Sequence, residues 1–540
     1  MSDKQLDIIT PRHDSACDRA VDDPRRGTSR RDVVRTLVAG GMLASTAGGL
    51  LTWPGAALAQ TPRKGGRLRV AVGAGSSADT LDPAKSSTIA DYVRHFMFYS
   101  CLTAVDTKLV PQMALAESVT SKDGVLWIVK LRKDVRFHDG KPLTPADVVY
   151  SLLRHKNPAT ASKAKAVAEE FAEVKATGPN ELQIKLNSAN VDLPALLATS
   201  HFSIIKDGTT DFATAIGTGP YKCKEFRPGV RSIGVRNDEY WKPGKPYLDE
   251  IEYFAVPDEA ARVNALLSGD VHLINGINPR SAAAFTADSG CTLFESKTGN
   301  YTDIIMRDNV GAVKNPNFVL AMKYMLDREQ IRKASMRGYG TIANDQPVQS
   351  SSRFYLAGLP QRPFDLDKAK FHLQKSGMAG MSLPIVASTA ATASVEMAQI
   401  LQLSAQKIGL NLEIKRMPAD GYWSNHWAKH PLTFGNINPR PTIDLMFSLF
   451  YKSDSPMNVS GWKNEKFDQL LDAARGETDE AKRKQMYADM QVLVHDQCGV
   501  GIPMFIHSLD GFTNKLKGYS GHPMGGLMGY MFADQVWLEA

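Results

Sequence analysis

From about residue 60 onward, apolar positions recur with two spacings, one near two residues and one near 3.6. Leu68 to Val72 is a short β-type run behind the Gly65–Gly66 pair. Val125 to Leu131 (VLWIVKL) predicts a strand that is nearly apolar on both faces. Leu182, Ile184 and Leu186 alternate with polar neighbours, as in a half-buried strand. Asn315 and Pro316 form an N-cap and first-turn pair. They predict one helix to about Arg332, with Val319, Met322 and Leu326 on a single face. A second helix carries Met397, Ile400, Leu401 and Ile408, stops at Gly409, and leads into an alternating strand at Leu410, Leu412 and Ile414. Thr478 opens a third, with Met486, Met490, Leu493 and Val494 on its buried stripe. Helix, glycine and strand in repetition predict an α/β fold with mixed sheets. Joints between bodies are expected near Asn300–Asp303 and Gly499–Pro503, where a turn meets a β-like run.

The first sixty residues have neither period. A polar, mixed-charge segment leads to Arg30 and Arg31, followed by the Gly/Ala-rich stretch LVAGGMLASTAGGLL. Ala57 and Ala59 stand at the −3 and −1 positions of a signal-peptidase site. The pattern resembles a twin-arginine export signal cleaved after Ala59, leaving Gln60 as the first residue of a periplasmic protein. The alternative is a membrane anchor, although the run is short and broken by glycines.

Composition narrows the classes. The chain has 540 residues, 43% hydrophobic and 22% charged, an ordinary globular balance with room for two or three domains. Its net charge of +7 is spread thinly, with no basic stripe, which argues against nucleic acid as a partner. Five cysteines without a C-x-x-C pair exclude a disulfide-built scaffold and make a zinc ribbon or an iron–sulfur site unexpected.

The search for catalytic chemistry finds little. No G-x-S-x-G elbow, Walker-A loop or G-x-G-x-x-G after a strand is present. His426 and His430 (HWAKH) have helical i, i+4 spacing, yet Trp427 stands where a metalloprotease needs Glu. His138 and Asp139 in FHDGKP read as a surface turn. No cofactor and no enzyme activity are expected.

Several segments in order resemble the family 5 extracellular solute-binding proteins, the peptide/nickel/opine-type receptors of bacterial ABC importers. They begin with KGGRLRVAVG (Lys64 to Gly73) and LDPA (Leu81 to Ala84). The most specific is DGVLWIVKLRKDVRFHDGKPLTPADVVYSLLR (Asp123 to Arg154). GTGPY (Gly217 to Tyr221), NDEYWKPGKPYLDEI, AMKYMLDREQI, FDLDKAKFHLQKSG and the block from Trp462 to Pro503 complete the series. The resemblance implies an α/β, two-lobed periplasmic binding protein of type II, with an extra domain inserted in lobe I. Lobe I is expected at 60–98, 215–301 and 500–540, the inserted domain at 99–214 and lobe II at 302–499. It also implies a monomer that closes over a peptide-like or other polar solute and delivers it to permease subunits in the inner membrane.

The resemblance places the pocket at the loop after the first strand, with Gly73 and Ala74, at the first hinge, with Tyr301, and in lobe II loops. The lobe II candidates are Trp423, Trp427, Phe434, Asn436, Asn438 and Arg440. Peptide-binding relatives carry an aromatic residue, an acidic partner for the peptide ammonium three positions on, and then a proline. Aligned on Pro441, the aromatic is Phe434 and the acidic position holds Ile437; a shift of a few residues would restore Asp444. Without that carboxylate, a buried ammonium would lose several kcal/mol. Arg440 reads either as a solvated loop residue or as the partner of a solute anion. Trp241 and Tyr247 are expected to lock a loop against lobe I, and Tyr221 to pack at its edge. Two other functions stay open: an exported cofactor-containing enzyme, and a peptide binder that serves a membrane partner other than an importer.

Overall fold

The computed structural model describes residues 61–307 and 311–539. The export signal and the Ala59 cleavage site lie outside the described residues.

Arg67–Val72 is the centre of an eight-stranded sheet. It runs parallel to Glu250–Ala255 on one side and to Leu273–Ile274 on the other. Leu68, Val70, Ala71 and Val72 are all buried, since a central parallel strand is covered on both faces. Arg231–Arg236 and Tyr221–Arg227 extend one edge, while Met504–Thr513 and Cys291–Tyr301 extend the other.

A second sheet of five strands has the order Asn411–Met417, Ser382–Ser388, Leu432–Phe434, Ile304–Met306, Val500–Gly501. The chain crosses between the two sheets twice where the sequence suggests. Thr302 and Asp303 separate Cys291–Tyr301 from Ile304–Met306, and Ile502 and Pro503 separate Val500–Gly501 from Met504–Thr513. A third contact was not foreseen: Gly340–Ile342, from the chain between those crossings, pairs with Met504–Thr513 in the first sheet.

Residues 116–186 supply a separate antiparallel sheet, in the order Ala116–Ser121, Leu126–Leu131, Glu181–Leu186, Phe171–Gly178. Its core gathers Trp127, Val129, Leu131, Leu182, Ile184 and Leu186 with Val148 and Leu152 of the helix Pro145–Leu153. Leu126 is 41% exposed, so this strand, though apolar in both directions there, is buried on one face only.

Other sequence readings change in detail. The helix after Asn315 is two helices, Pro316–Tyr324 and Arg328–Met336. Asp327 starts the second by accepting from the Gln330 N–H at 2.9 Å, a cap that competes with continuation of the first. His138 lies in the expected turn at 137–141, with Asp139 exposed, but its ring is wedged against the Gly217–Tyr221 segment. Gly217 N–H donates to its Nδ1 (3.3 Å) and its Nε2 faces the Gly219 carbonyl (3.0 Å), which selects the neutral Nε2–H tautomer. Burial lowers its pKa in keeping with that. Trp241 packs on the antiparallel sheet's core and donates to Ser100 Oγ (3.1 Å), whereas Tyr247 meets Trp537 edge-on. The helix Ser394–Ile408 ends as expected, with Gly409 at φ 84° closing its last turn. Thr478 stands just outside the last long helix, which Asp479 caps ahead of Glu480–Gln497.

Candidate functional site

The segment 435–441 leaves the strand Leu432–Phe434 and enters the helix Ile443–Phe450, which Thr442 caps through Oγ1 to the Leu445 N–H (3.1 Å). Ile437 exchanges backbone hydrogen bonds with Tyr301 (2.9 and 3.1 Å), so the loop is clamped to the first crossing. Pro439 and Pro441 restrict the backbone on either side of Arg440.

Arg440 is half-buried. Its Nη1 donates to the carbonyls of Asn438 (2.9 Å) and Pro439 (3.2 Å), and its guanidinium lies 5.2 Å from the centre of the Phe450 ring. Burial lowers its pKa, and the groups that act against this are hydroxyls: Tyr301, Tyr92 and Tyr530. Among the described residues no carboxylate forms an ion pair with it.

Those neighbours come from distant parts of the chain. Tyr92 belongs to the helix Ile89–Phe98 and sits 5.5 Å from the Tyr530 ring and 5.9 Å from His201. Burial holds the His201 pKa down and the Arg440 charge adds to this, so the imidazole is neutral near pH 7. Tyr530 stands at φ 74° at the end of a left-handed turn that includes Leu527 (φ 53°) and Met528 (φ 57°). Such a conformation costs about 1–2 kcal/mol per non-glycine residue. Asp510 holds the turn, accepting from Leu527 N–H (2.9 Å) and Tyr519 Oη (2.7 Å). Gly526 is required there, since a Cβ would lie 2.6 Å from Asp510 Oδ1.

The other candidates separate. Tyr301 is fully buried, with its hydroxyl 3.2 Å from that of Tyr451. Asn436 accepts from Thr302 Oγ1 at 3.4 Å, and Asn438 is exposed. Phe434 is not a cleft wall: it is 0% exposed in the core of the second sheet. Trp427 packs against that same core, and Trp423 meets it edge-on while remaining 42% exposed. Asp444 is buried and already paired with Arg475 (3.1 Å), which leaves it unavailable to a solute ammonium. Gly73 donates to Asn275 Oδ1 (3.1 Å), and it and Ala74 lie in the loop over the buried Arg262. His426 and His430 stack at 5.5 Å outside a helix, and among the described residues no group of three potential ligands could hold a metal. Tyr92, His201 and Tyr530 carry no local sequence signal; only the glycines around Tyr530 mark unusual backbone.

The family model for bacterial extracellular solute-binding proteins, family 5, matches residues 108–458. The chain belongs to that family. It is 26% identical over 489 residues to the glutathione-binding protein GsiB of Escherichia coli (strain 536), covering 83% of this chain and 91% of that protein. It is 28% identical over 458 residues to heme-binding protein A of Haemophilus influenzae, covering 76% and 82%. Its fold matches the periplasmic binding protein DppA of Helicobacter pylori, solved with the peptide STSA, at a TM-score of 0.75 and 23% identity over 88% of this chain and 99% of that one. This family 5 protein is therefore a two-lobed α/β receptor for an ABC importer, and not an enzyme. Among its described residues no helix is long and apolar enough to cross a membrane.

The first crossing of this family 5 receptor contains a buried acid. Asp303 Oδ1 has no hydrogen-bond partner, and burial lifts the carboxyl pKa to about 7. An acid whose folded pKa is raised stabilises the fold fully below its unfolded value, near pH ~4, and that stability is lost as pH rises through the folded value. The Asp303 contribution to unfolding free energy should thus fall from about pH 4 to 7, against the rise that the buried, neutral His95 and His155 supply over the same range. Urea unfolding across this range should show the difference between wild type and Asp303→Asn shifting by this contribution between pH 4 and 7. Asp510, lifted to about 6, keeps part of the slope. An identical profile in Asp303→Asn would refute the assignment.

Proposed function

We propose that this receptor captures a polar, anionic solute by hinge closure, with Arg440 as the anion anchor, and delivers it to permease subunits of its importer. One observation carries the reading: a guanidinium without a carboxylate partner stands on the loop before Ile443–Phe450 and faces Tyr92, His201 and Tyr530 from the other sheet's side. A planar guanidinium binds a carboxylate in two parallel hydrogen bonds, a geometry that Lys does not reproduce. Glutathione, heme and the peptide STSA, the ligands named for relatives, all carry carboxylates. We further propose the lobe boundaries given above, with 99–214 as an insertion in lobe I, twin-arginine export with cleavage after Ala59, and a monomer.

Native mass spectrometry of the exported protein tests the reading. A chain beginning at Gln60, in one copy, with an acidic small molecule retained is expected. Arg440→Ala should weaken that molecule's binding by roughly 10- to 150-fold in calorimetry, the value of a charge-assisted hydrogen bond of about 1.5–3 kcal/mol. Unchanged affinity, or retention of a cation, would overturn it.

A further inference from the structure

Arg440 also lines an open groove outside the tyrosine cluster. Its walls include the turn at Lys108–Pro111, the segment 347–354 and the loop that holds Arg440, with Asp192, Gly299 and Met446 completing them. The charges on these walls are unequal. Lys108 is exposed at the tip of the hairpin formed by Thr103–Val105 and Pro111–Met113, and forms no ion pair among the described residues. The acid nearest to it in sequence, Asp106, is occupied by the N–H groups of Lys108 (2.8 Å) and Val110 (2.9 Å) and by the Gln112 amide (3.1 Å).

Arg353 lies 4.6 Å over the Phe354 ring, and its one ion pair, with Glu480, is long at 3.8 Å and exposed. The single acid on the groove wall is Asp192, and Arg483 neutralises it from behind, with Nη1 at 2.9 Å from Oδ1. A ligand in the groove therefore meets three cations and no free carboxylate. Between the charges the wall is apolar or neutral. Phe354, Met446 and prolines line it, and the Gln349 amide lies flat on Gly299, where a Cβ would come within 2.7 Å of it.

We propose that this groove is a second subsite, in which Lys108 and Arg353 bind a second acidic group of the same solute. The solute is then a dianion without a free ammonium. One acidic end rests on Arg440, an apolar or amide-bearing body lies along Phe354 and Gln349, and the other acidic end reaches Lys108 and Arg353. This rests on the proposed role of Arg440. An ammonium is disfavoured because Asp192 and Asp444 are each committed to an arginine, and Asp303, the third acid beside the loop, is buried in the first crossing.

The probes are straight-chain α,ω-dicarboxylates of four to ten carbons and the matching monocarboxylates, with calorimetry on the wild type, Arg353→Gln, Lys108→Gln and the double variant. At the length that spans the groove, the dicarboxylate should bind roughly 10- to 100-fold tighter than its monocarboxylate. That advantage should shrink in each single variant and vanish in the double one. Equal binding of the two series at every length overturns the proposal, as does an advantage that survives in the double variant. Both results leave the Arg440 reading standing if monocarboxylates bind and Arg440→Ala abolishes this. Failure of every carboxylate, with no acidic solute retained on purification, overturns the Arg440 reading itself.

Discussion

Asp345→Ala is expected to cost about 3–5 kcal/mol of unfolding free energy at pH 7, the range for removing one partner from a buried ion pair. Asp345 is 0% exposed and sits among cations. Its carboxylate accepts from Arg328 Nη2 (2.6 Å), Arg362 Nε (3.2 Å) and the backbone N–H of Ile502 (3.1 Å). Lys323 is buried beside them, donating to the carbonyls of Val494 (3.2 Å) and His495 (2.8 Å), and burial lowers its pKa to about 8. Removal of this buried carboxylate leaves Arg328 and Lys323 without an acidic partner and Arg362 with only the exposed Asp496 at 3.3 Å. It also frees the N–H of Ile502, which lies in the second crossing between the sheets. Asp345→Asn separates charge from shape. Asn tolerates the left-handed backbone at φ 54°, so a loss close to that of Asp345→Ala would identify charge as the cause. The cations hold the Asp345 pKa below its usual value despite burial. Its contribution is therefore present above about pH 4 and fades as pH falls through the depressed value. Urea unfolding reads both variants, and a loss under about 1 kcal/mol in each would refute the account.

The second large effect is expected at Arg483. This residue of the helix Glu480–Gln497 donates to Asp192 on the far side of a tertiary contact, to the Ala474 carbonyl (2.9 Å) and to Tyr487 Oη (3.1 Å). The neighbouring chain reinforces the junction, with Val191 N–H donating to the Arg475 carbonyl (3.0 Å). Burial alone would depress the Arg483 pKa, but Asp192 more than offsets this and raises it. Asp444, lifted to about 6 by burial, also feels the Arg483 charge. Arg483→Met should therefore cost about 3–5 kcal/mol, because it leaves Asp192 buried without its partner and weakens the compensation at Asp444. Adding Asp192→Leu to Arg483→Met should recover most of the loss, since an apolar pair of similar volume carries no desolvation penalty. The double-mutant cycle isolates the pair. A double variant as unstable as the sum of its parts would mean that packing, not charge, holds the junction.

Local rules account for much of the fold. The strand Glu181–Leu186, the helix Ser394–Ile408 with its glycine stop, and the strand Asn411–Met417 follow from period and caps. The two crossings were visible because each places a turn between β-like runs. The break between Tyr324 and Arg328 was not, because an internal N-cap and a continuing apolar face give opposite signals, and packing of Met325 and Leu326 decides between them. His138 shows the same limit, since its turn motif is local while its partners, Gly217 and Gly219, are not.

The candidate site divides along the same line. Arg440 and the missing acid at Ile437 were legible because the family pattern is written in one short loop. Phe434 and Asp444 stand in the same stretch, yet one faces a core and the other meets Arg475, thirty-one residues away. Tyr92, His201 and Tyr530, which share an electrostatic environment with Arg440, approach only when two sheets and the chain's last turns are assembled. By itself the sequence determined the α/β class, the crossings and the family, and it marked the cation Arg440 as a candidate, because these depend on neighbouring residues and on patterns along the chain. Tertiary structure alone decided which aromatics face that cation and which acids are already neutralised. Burial and charge pairing depend on residues brought together from hundreds of positions apart, and no local period records them.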